Sequence, residues 1–491
     1  MVNVYDRGDV HLISKTVKGI GWVSLSQVIN QAVQFVVTAI LAHLLFPKDF
    51  GIVAMIAVFL NFLAVFQGLG MGPAIIQKKD LKESQLYSIF WITIGIGAFL
   101  SILMISLSPL IAVFYKQPEL MKLSMVLGTT FFISSISSVP NAILSKEMQF
   151  ERIAIVEISV IFISGITGIL FALRGFGVWS LVYKSVVGAV LSSFLLFIAT
   201  KWKPVFFFNW YKIKDMFSFG ANLTGFGVLN YFHRNLDNLL IGRFLGPILL
   251  GYYNFSYSIL LFPVFQISGA LGRVFFPALS SIQEDLPRVR NIYTQTTFYI
   301  SVITFPLMIG IFILAPEFVR TIFGPKWIPA IIVLRILVLI GMIQSIVTTQ
   351  GWIYGVTGRT DIMLKWGFFS FIVVAISFVI GLRYGIVGVA SAYAIACCLL
   401  VIPGFYIPFR FIELNIWKFF GNFKSTFFIS VIMGIIVTML RHILKMVNLG
   451  DWGTLIICAI VGSIIYIGLL WVFKKQIFKE LREYIKTGLS Q

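Results

Sequence analysis

Charged residues and cysteines are both scarce in this chain of 491 residues. Only 12% of the residues are Asp, Glu, Lys or Arg, whereas 59% are hydrophobic and the mean hydropathy is +0.96. Soluble domains carry about 25% charged residues, so this composition excludes one and predicts an integral membrane protein. The three cysteines, Cys397, Cys398 and Cys458, all lie in apolar runs. Their placement excludes a disulfide framework and a Cys-x-x-Cys metal or redox site.

Motifs of catalysis and nucleotide binding are also missing. The four histidines are scattered, and the sequence contains no His-Glu-x-x-His, no P-loop and no Gly-x-Ser-x-Gly. The glycine-rich run at 68–72 follows no predicted strand, so we interpret it as close helix packing or a hinge. The basic residues are scattered and form no nucleic-acid-binding stripe. We therefore expect no enzyme, cofactor, metal, nucleotide or nucleic acid.

Apolar segments long enough to cross a bilayer, which takes about 20 residues, recur along the whole chain. No connection between them is long enough to hold a soluble catalytic domain. The predicted fold class is an all-α polytopic membrane protein with about 14 transmembrane helices. These spans cover residues 17–45, 50–72, 86–113, 120–143, 153–173, 176–199, 215–243, 248–281, 291–315, 328–356, 362–382, 386–408, 425–444 and 453–473.

The basic residues are divided unequally between the two ends of these spans. Of the 38 Lys and Arg, 24 fall on the side of the chain termini and ten on the opposite side. The remaining four, Lys184, Arg234, Arg273 and Arg335, lie within spans. Because cytoplasmic loops of membrane proteins are enriched in Lys and Arg, both termini are predicted to be cytoplasmic.

A shift of the sequence by 200 residues reveals an internal repeat. The shift aligns Asn30 with Asn230, Pro47 with Pro247 and Gly51 with Gly251. The segments 174–183 and 383–393 also resemble each other after one insertion. Six spans precede the second copy, so the copies are parallel. The predicted domains are an N-terminal lobe at 1–205, a C-terminal lobe at 206–412, and two further helices with a basic cytoplasmic tail at 413–491.

The junction between the predicted lobes, KWKPVFFFNWYKIK at 201–214, is both basic and aromatic. Aromatic and basic side chains are enriched at membrane–water interfaces. We therefore predict that this segment is an interfacial anchor helix on the cytoplasmic side.

Polar residues form stripes on spans 1 and 7. In the run NYFHRNLDNLL, five polar residues fall within one arc of a helix: Asn230, His233, Arg234, Asp237 and Asn238. Span 1 carries a comparable arc that includes Gln27, Asn30, Gln31 and Gln34. Charges inside a membrane usually mark a substrate or ion path, so a wet cavity between the lobes is predicted. The alternative is local pairing of Arg234 with Asp237, which would only hold helices together.

Positive charge dominates within the spans. Lys184, Arg273 and Arg335 add to Arg234, whereas Glu157 and Asp237 are the only acids predicted well inside. Such an interior favours an anionic substrate, with Glu157 and Asp237 as candidates for ion coupling. Arg273 could instead extend its side chain to the interface. Three prolines within spans, Pro263, Pro306 and Pro403, are candidates for kinks.

Three segments resemble the bacterial polysaccharide exporters of the Wzx type, in particular the colanic-acid exporter branch. They are Leu41–Met55, Gly68–Leu81 and Phe114–Leu120. The exporters belong to the multidrug/oligosaccharidyl-lipid/polysaccharide superfamily. His43 stands where that branch would be expected to have Arg, and the family has no single catalytic motif to transfer.

The resemblance implies two six-helix lobes in a V around a central cavity, with two additional C-terminal helices. It also implies a bacterial inner-membrane flippase for an undecaprenyl-pyrophosphate-linked oligosaccharide. The expected partners are this substrate, membrane lipids and a polysaccharide polymerase or export machinery. Three alternatives stay open: a drug or cation antiporter of the same superfamily, a peptidoglycan lipid-precursor flippase, and a scaffold that transports nothing.

Overall fold

The structure is a computed structural model that describes residues 7–67, 72, 75, 82–209, 231 and 234–475. These residues form helices and connecting turns, with no β-strand in the described ranges. The chain divides into two units, Met1–Gly251 and Tyr252–Gln491. The predicted boundaries of the lobes, 1–205, 206–412 and 413–491, remain a prediction.

The helices of the first unit are long and closely follow the predicted spans. They are α1 (Arg7–Leu44), α2 (Pro47–Gln67), α3 (Glu83–Tyr115), α4 (Glu119–Lys146), α5 (Phe150–Leu173), α6 (Trp179–Thr200) and α7 (234–245). A further helix, α8 (Pro247–Pro263), begins at the end of this unit and continues into the second.

The second unit continues the same architecture and adds two short helices. Its helices after α8 are α9 (Gly269–Ser281), α10 (Leu286–Ile322), α11 (Ala330–Val347), α12 (Gln350–Val356), α13 (Thr360–Leu382), α14 (Gly385–Phe409), α15 (Ile416–Asn422), α16 (Lys424–Met446) and α17 (Asp451–Phe473). A π-helical turn, Val264–Ser268, separates α8 from α9.

Thirteen helical segments in the described ranges are long and apolar enough to cross a membrane. Each overlaps one of the predicted spans. The remaining predicted span, 215–243, lies mostly outside the described residues, although 234–245 is helical. The predicted class, an all-α polytopic membrane protein with about 14 transmembrane helices, is confirmed.

Several helix ends are set by local sequence. The Asp285 side chain accepts a hydrogen bond from the Arg288 backbone N–H (3.1 Å) and caps α10, whose second residue is Pro287. Asn415 caps α15 in the same way through the backbone N–H groups of Trp417 and Lys418. These caps satisfy N–H groups that have no partner within the helix.

The three predicted proline kinks differ in their local structure. Pro263 comes directly before the π-helical turn Val264–Ser268, where the helical hydrogen-bond pattern changes. Pro306 and Pro403 lie inside the uninterrupted helices α10 and α14. Of these positions, Pro263 is therefore the one at which the helix type changes.

Small residues allow the helices of each unit to approach closely. In the first unit, a Cβ on Gly165 of α5 would lie 2.6 Å from the Val37 side chain of α1. In the second, a Cβ on Gly341 of α11 would lie 2.6 Å from the Leu260 side chain of α8. Close approach of this kind is the main source of helix association in lipid, where burial of apolar surface gives no advantage.

The aromatic junction is not helical over its described part, so the predicted anchor helix is wrong for residues 201–209. This segment lies along the start of α3. The Trp91 indole donates to the Val205 carbonyl (2.9 Å), and the Asn209 backbone N–H donates to the Ser88 hydroxyl (3.0 Å). Pro204 disfavours helical geometry at the residue before it, which explains the extended path. Residues 210–214 lie outside the described ranges.

Candidate functional site

The predicted polar stripe of span 1 lies on α1, which packs against α5. Gln27, Asn30 and Gln31 are half-buried, and Gln34 is exposed. The Val37–Gly165 contact fixes α1 against α5 about two turns beyond Asn30. The stripe is therefore partly covered by a neighbouring helix and partly accessible.

Asn30 and Glu157 come together across this helix pair. The Asn30 amide Nδ2 donates to the Glu157 carboxylate Oε2 at 3.1 Å. Apart from this contact, the Glu157 side chain is exposed. The amide oxygen Oδ1 of Asn30 is buried and has no hydrogen-bond partner among the described residues. The sequence predicted a role for each residue separately, and the fold joins them into one group of polar oxygens.

Lys184 lies on α6, beside the same helix α5. Its stem packs against Gly168, where an added Cβ would lie 3.2 Å from the Lys184 Cβ. The side chain is half-buried and forms no ion pair with the described residues. Lys184 therefore places a positive charge on α6, the helix that packs against the Glu157-bearing helix α5.

Span 7 presents its two charged residues differently. Arg234 is exposed, whereas Asp237 is only 3% exposed. One carboxylate oxygen of Asp237 accepts a hydrogen bond from the Asn238 backbone N–H at 2.7 Å. The half-buried Asn238 side chain has an amide oxygen without a hydrogen-bond partner in the described ranges. The other two predicted members of this stripe, Asn230 and His233, lie outside the described residues.

Helix α7 is held within the first unit by contacts near both ends. The Tyr231 hydroxyl donates to the Val58 carbonyl of α2. A Cβ on Gly242 would lie 2.7 Å from the ring of Tyr115 on α3, and the Arg243 guanidinium lies 5.6 Å from the centre of the Phe114 ring. These contacts explain why the start of the predicted second lobe groups with the first unit.

The other predicted basic residues lie in the second unit. Arg335 of α11 is half-buried, and its Nε donates to the Phe312 carbonyl of α10 at 3.1 Å. Its guanidinium also lies over the Phe312 ring, 5.6 Å from the ring centre. Arg273 belongs to α9, but its side chain lies outside the described part of the structure.

Sequence reasoning missed a fully buried acid, Glu317. The predicted ninth span ended at 315, but α10 continues to Ile322, so Glu317 is inside the helix and 0% exposed. Its Oε1 lies 2.9 Å from Arg441 Nε and 2.6 Å from Lys445 Nζ, both on α16. The expectation that Glu157 and Asp237 were the only acids well inside spans was therefore incomplete.

Glu317, Arg441 and Lys445 form a group, here called the Glu317 cluster, that carries net positive charge despite its buried acid. One carboxylate is paired with two cations, and Arg335 is close enough to interact electrostatically with both Glu317 and Arg441. A buried carboxylate is costly unless it is paired, so Arg441 and Lys445 explain how Glu317 is tolerated. The signal in the sequence that the helix extends past residue 315 was the helical spacing of four apolar residues, Phe318, Val319, Ile322 and Phe323.

Comparison with known proteins identifies the family. A model of the polysaccharide biosynthesis protein family matches residues 40–332, which is more than half of the chain. The chain belongs to this family. The match includes most of the first unit and the start of the second, and it covers Glu157, Lys184, Arg234 and Asp237.

Several proteins whose names state a role in polysaccharide synthesis are similar to this chain over most of its length. The teichuronic acid biosynthesis protein TuaB of Bacillus subtilis is 28% identical over 432 residues, covering 87% of this chain and 89% of TuaB. The lipopolysaccharide biosynthesis protein WzxC of Escherichia coli is 25% identical over 441 residues, with the same coverage. The succinoglycan biosynthesis transport protein ExoT of Rhizobium meliloti is 25% identical over 355 residues, 72% of each chain.

Solved structures show the same fold at low sequence identity. The lipid II flippase MurJ in an inward closed conformation matches with a TM-score of 0.72 and 17% identity, over 93% of this chain and 99% of MurJ. An inward-facing multidrug transporter of the MATE family matches with a TM-score of 0.60 and 16% identity, over 79% and 98% of the chains. The resemblance to Wzx-type exporters is confirmed, and the chain is a multi-pass membrane protein.

Proposed function

We propose that this protein is a flippase that moves a lipid-linked oligosaccharide across the bacterial inner membrane for the synthesis of a surface polysaccharide. The observation that carries the proposal is the different exposure of two charges on α7. Arg234 is exposed while Asp237, one turn away, is 3% exposed. An exposed guanidinium inside a membrane span is too costly to face lipid, so it favours a water-filled path for an anion.

The chemistry of such a substrate suits the predicted site residues. A guanidinium presents two parallel N–H donors in a fixed plane to two oxygens of a pyrophosphate, a geometry that an ammonium group lacks. Gln27, Gln31 and Gln34 carry amides that both donate and accept hydrogen bonds, as sugar hydroxyls do. The lipid tail would stay in the bilayer while these groups hold the polar headgroup. The proposed water-filled cavity has six further members: His233, Asn230, Asn238, Lys184, Arg273 and Arg335.

We further propose that transport is coupled to an ion gradient through Glu157 or Asp237. The Asn30–Glu157 pair offers a carboxylate and a buried amide oxygen without a donor. The carboxylate can bind a proton, and both oxygens are of the kind that bind a hard cation. Under this proposal the protein is a secondary transporter, with both termini in the cytoplasm and a polysaccharide polymerase or export machinery as partner.

Two alternative functions make different predictions about the substrate. A drug or cation antiporter is suggested by the MATE fold match, but it should have more acids than bases on its path. A peptidoglycan-precursor flippase is suggested by the MurJ match, and its substrate shares the same lipid pyrophosphate. The substrate assay below separates all three functions.

The experiment uses the full chain in proteoliposomes loaded with undecaprenyl-pyrophosphate carrying either an oligosaccharide or the peptidoglycan precursor. A glycosidase or lectin added outside reports headgroups that have crossed. We expect transfer of the oligosaccharide lipid, a loss of about ten- to a hundredfold in Arg234→Ala, and near-normal transfer in Arg243→Ala. Arg243 is the matched control because it lies on the same helix and already stacks over Phe114.

Exclusive transfer of the peptidoglycan precursor, or uptake of a cationic dye without lipid transfer, would replace this proposal by the corresponding alternative. Equal losses in the two arginine variants would remove Arg234 from the site.

A further inference from the structure

The last turns of α16 carry a basic edge beside an apolar edge. At 100° per residue, the basic edge consists, in order around the helix, of Arg441, Lys445, Thr438 and His442. The apolar edge continues this arc with Met439 and Ile443. These residues line an open groove of about 670 Å³. The proposed function assigns no role to this groove.

The basic edge is held in place and still has free donors. Arg441 contacts Glu317 through Nε, and no described residue accepts a hydrogen bond from its terminal Nη groups. Lys445 uses one N–H on the same carboxylate oxygen. The one buried acid neutralises only one of these two cations. Arg335 adds a third positive charge nearby, so the edge retains net positive charge. A fixed guanidinium with two free Nη groups is well suited to a phosphate.

The apolar edge suits a hydrocarbon chain. The Met439 and Ile443 side chains are 61% and 56% exposed, and both lie on a membrane-spanning helix. Arg441 lies about 7 Å along the axis from the end of α16 at Met446. Long basic side chains this close to the helix end can extend to the lipid headgroups, while the apolar edge, which runs inward from Ile443 to Met439, can meet an acyl chain.

We propose that this groove is a binding site for an anionic phospholipid. The phosphodiester lies against Arg441, His442 and Lys445, and one acyl chain lies along Met439 and Ile443. By the predicted topology α16 ends on the outer side of the membrane, so the lipid belongs to the outer leaflet. None of the residues that line the groove is a proposed member of the flippase cavity. Arg335, which lies near the basic edge, is the one residue that the two proposals share.

The test is native mass spectrometry of the full chain, purified in detergent and titrated with phosphatidylglycerol or with phosphatidylcholine of the same acyl chains. Wild-type protein should bind phosphatidylglycerol more tightly. Lys445→Gln should weaken that binding about fivefold, since one cation near a headgroup contributes about that factor. Glu317 stays paired with Arg441 in this variant, so the helices remain joined.

Two further variants separate binding from misfolding and from general surface charge. Glu317→Gln removes the acid of the cluster and should tighten phosphatidylglycerol binding about fivefold, whereas a misfolded protein would lose it. Arg320→Gln removes a cation of the same region that is paired with Asp451 at 3.8 Å and does not line the groove. It should leave binding unchanged.

Three results would overturn the proposal. Equal affinities for the two lipids would mean that the groove recognises only acyl chains. Equal losses in Lys445→Gln and Arg320→Gln would indicate general surface charge. Complete displacement of phosphatidylglycerol by millimolar inorganic phosphate would indicate a site for a free anion instead of a lipid.

Discussion

Gly51 of α2 and Gly251 of α8 each pack against the backbone of the other helix, so neither position has room for a side chain. A Cβ on Gly51 would lie 1.7 Å from the Pro247 carbonyl oxygen, and a Cβ on Gly251 would lie 2.1 Å from the Pro47 carbonyl oxygen. The contact is reciprocal. The residues that the internal repeat aligns with each other, Pro47 with Pro247 and Gly51 with Gly251, therefore meet in space.

Replacement of Gly51 by Ala should destabilise this contact. The methyl group would overlap a backbone oxygen, which cannot move aside as a flexible side chain can, so we expect a loss of about 1–3 kcal/mol. The thermal unfolding midpoint of the purified protein measures it. Gly95→Ala is the control, because a Cβ on Gly95 of α3 meets nothing within 4 Å. Equal midpoints for the two variants would show that the crossing is looser than described.

The role of Arg234 can be separated from simple pairing with Asp237. If Arg234 binds a pyrophosphate, Arg234→Ala should reduce export severely, Arg234→Lys should retain part of it, and Arg234→Glu should cause the largest loss. The double variant Arg234→Ala, Asp237→Ala should then stay inactive at normal protein levels. Export of surface polysaccharide in cells measures the outcome, and restored export in the double variant would instead support local pairing.

Asn30 and Glu157 should act as one unit in ion coupling. Flipping in proteoliposomes should respond to an imposed pH gradient, and Glu157→Gln or Asn30→Leu should reduce that response by a similar factor. Because the two groups share one hydrogen bond, the double variant should be no worse than either single one. Glu151→Gln, an exposed acid in the first turn of the same helix, is the control. Additive losses would contradict a shared role.

The Glu317 cluster should tolerate loss of its acid better than loss of its cations. In Glu317→Gln, Arg441 and Lys445 remain partly exposed and can be hydrated. In the double variant Arg441→Leu, Lys445→Leu, a buried carboxylate loses both partners, which costs about 3–5 kcal/mol. Thermal unfolding at neutral pH should therefore show a much larger loss for the double variant. Similar losses for both would mean that the carboxylate is hydrated.

Reporter fusions test the predicted topology. Fusions at Lys79 and Gln491 should report the cytoplasm, and one at Pro118 should report the outside, because the termini lie on the side that carries 24 of the 38 basic residues. A signal from the outside at Gln491 would contradict the fourteen-span arrangement.

The sequence by itself determined the class of the protein and most of its helices. Runs of about 20 apolar residues can satisfy their backbone hydrogen bonds in lipid only as helices, so thirteen of the predicted spans could be located from composition alone. The family could also be recognised from local motifs such as Leu41–Met55. The positions of Asn30, Glu157 and Arg234 within their spans follow from the same patterns.

Only the tertiary structure decided which of these residues meet. Asn30 and Glu157 are 127 residues apart in the chain, and no periodicity relates them. Glu317 and Arg441 are 124 residues apart, and the predicted span, which ended at residue 315, left Glu317 outside. The physical reason is that a buried charge becomes tolerable through its partner, and that partner comes from packing between distant helices.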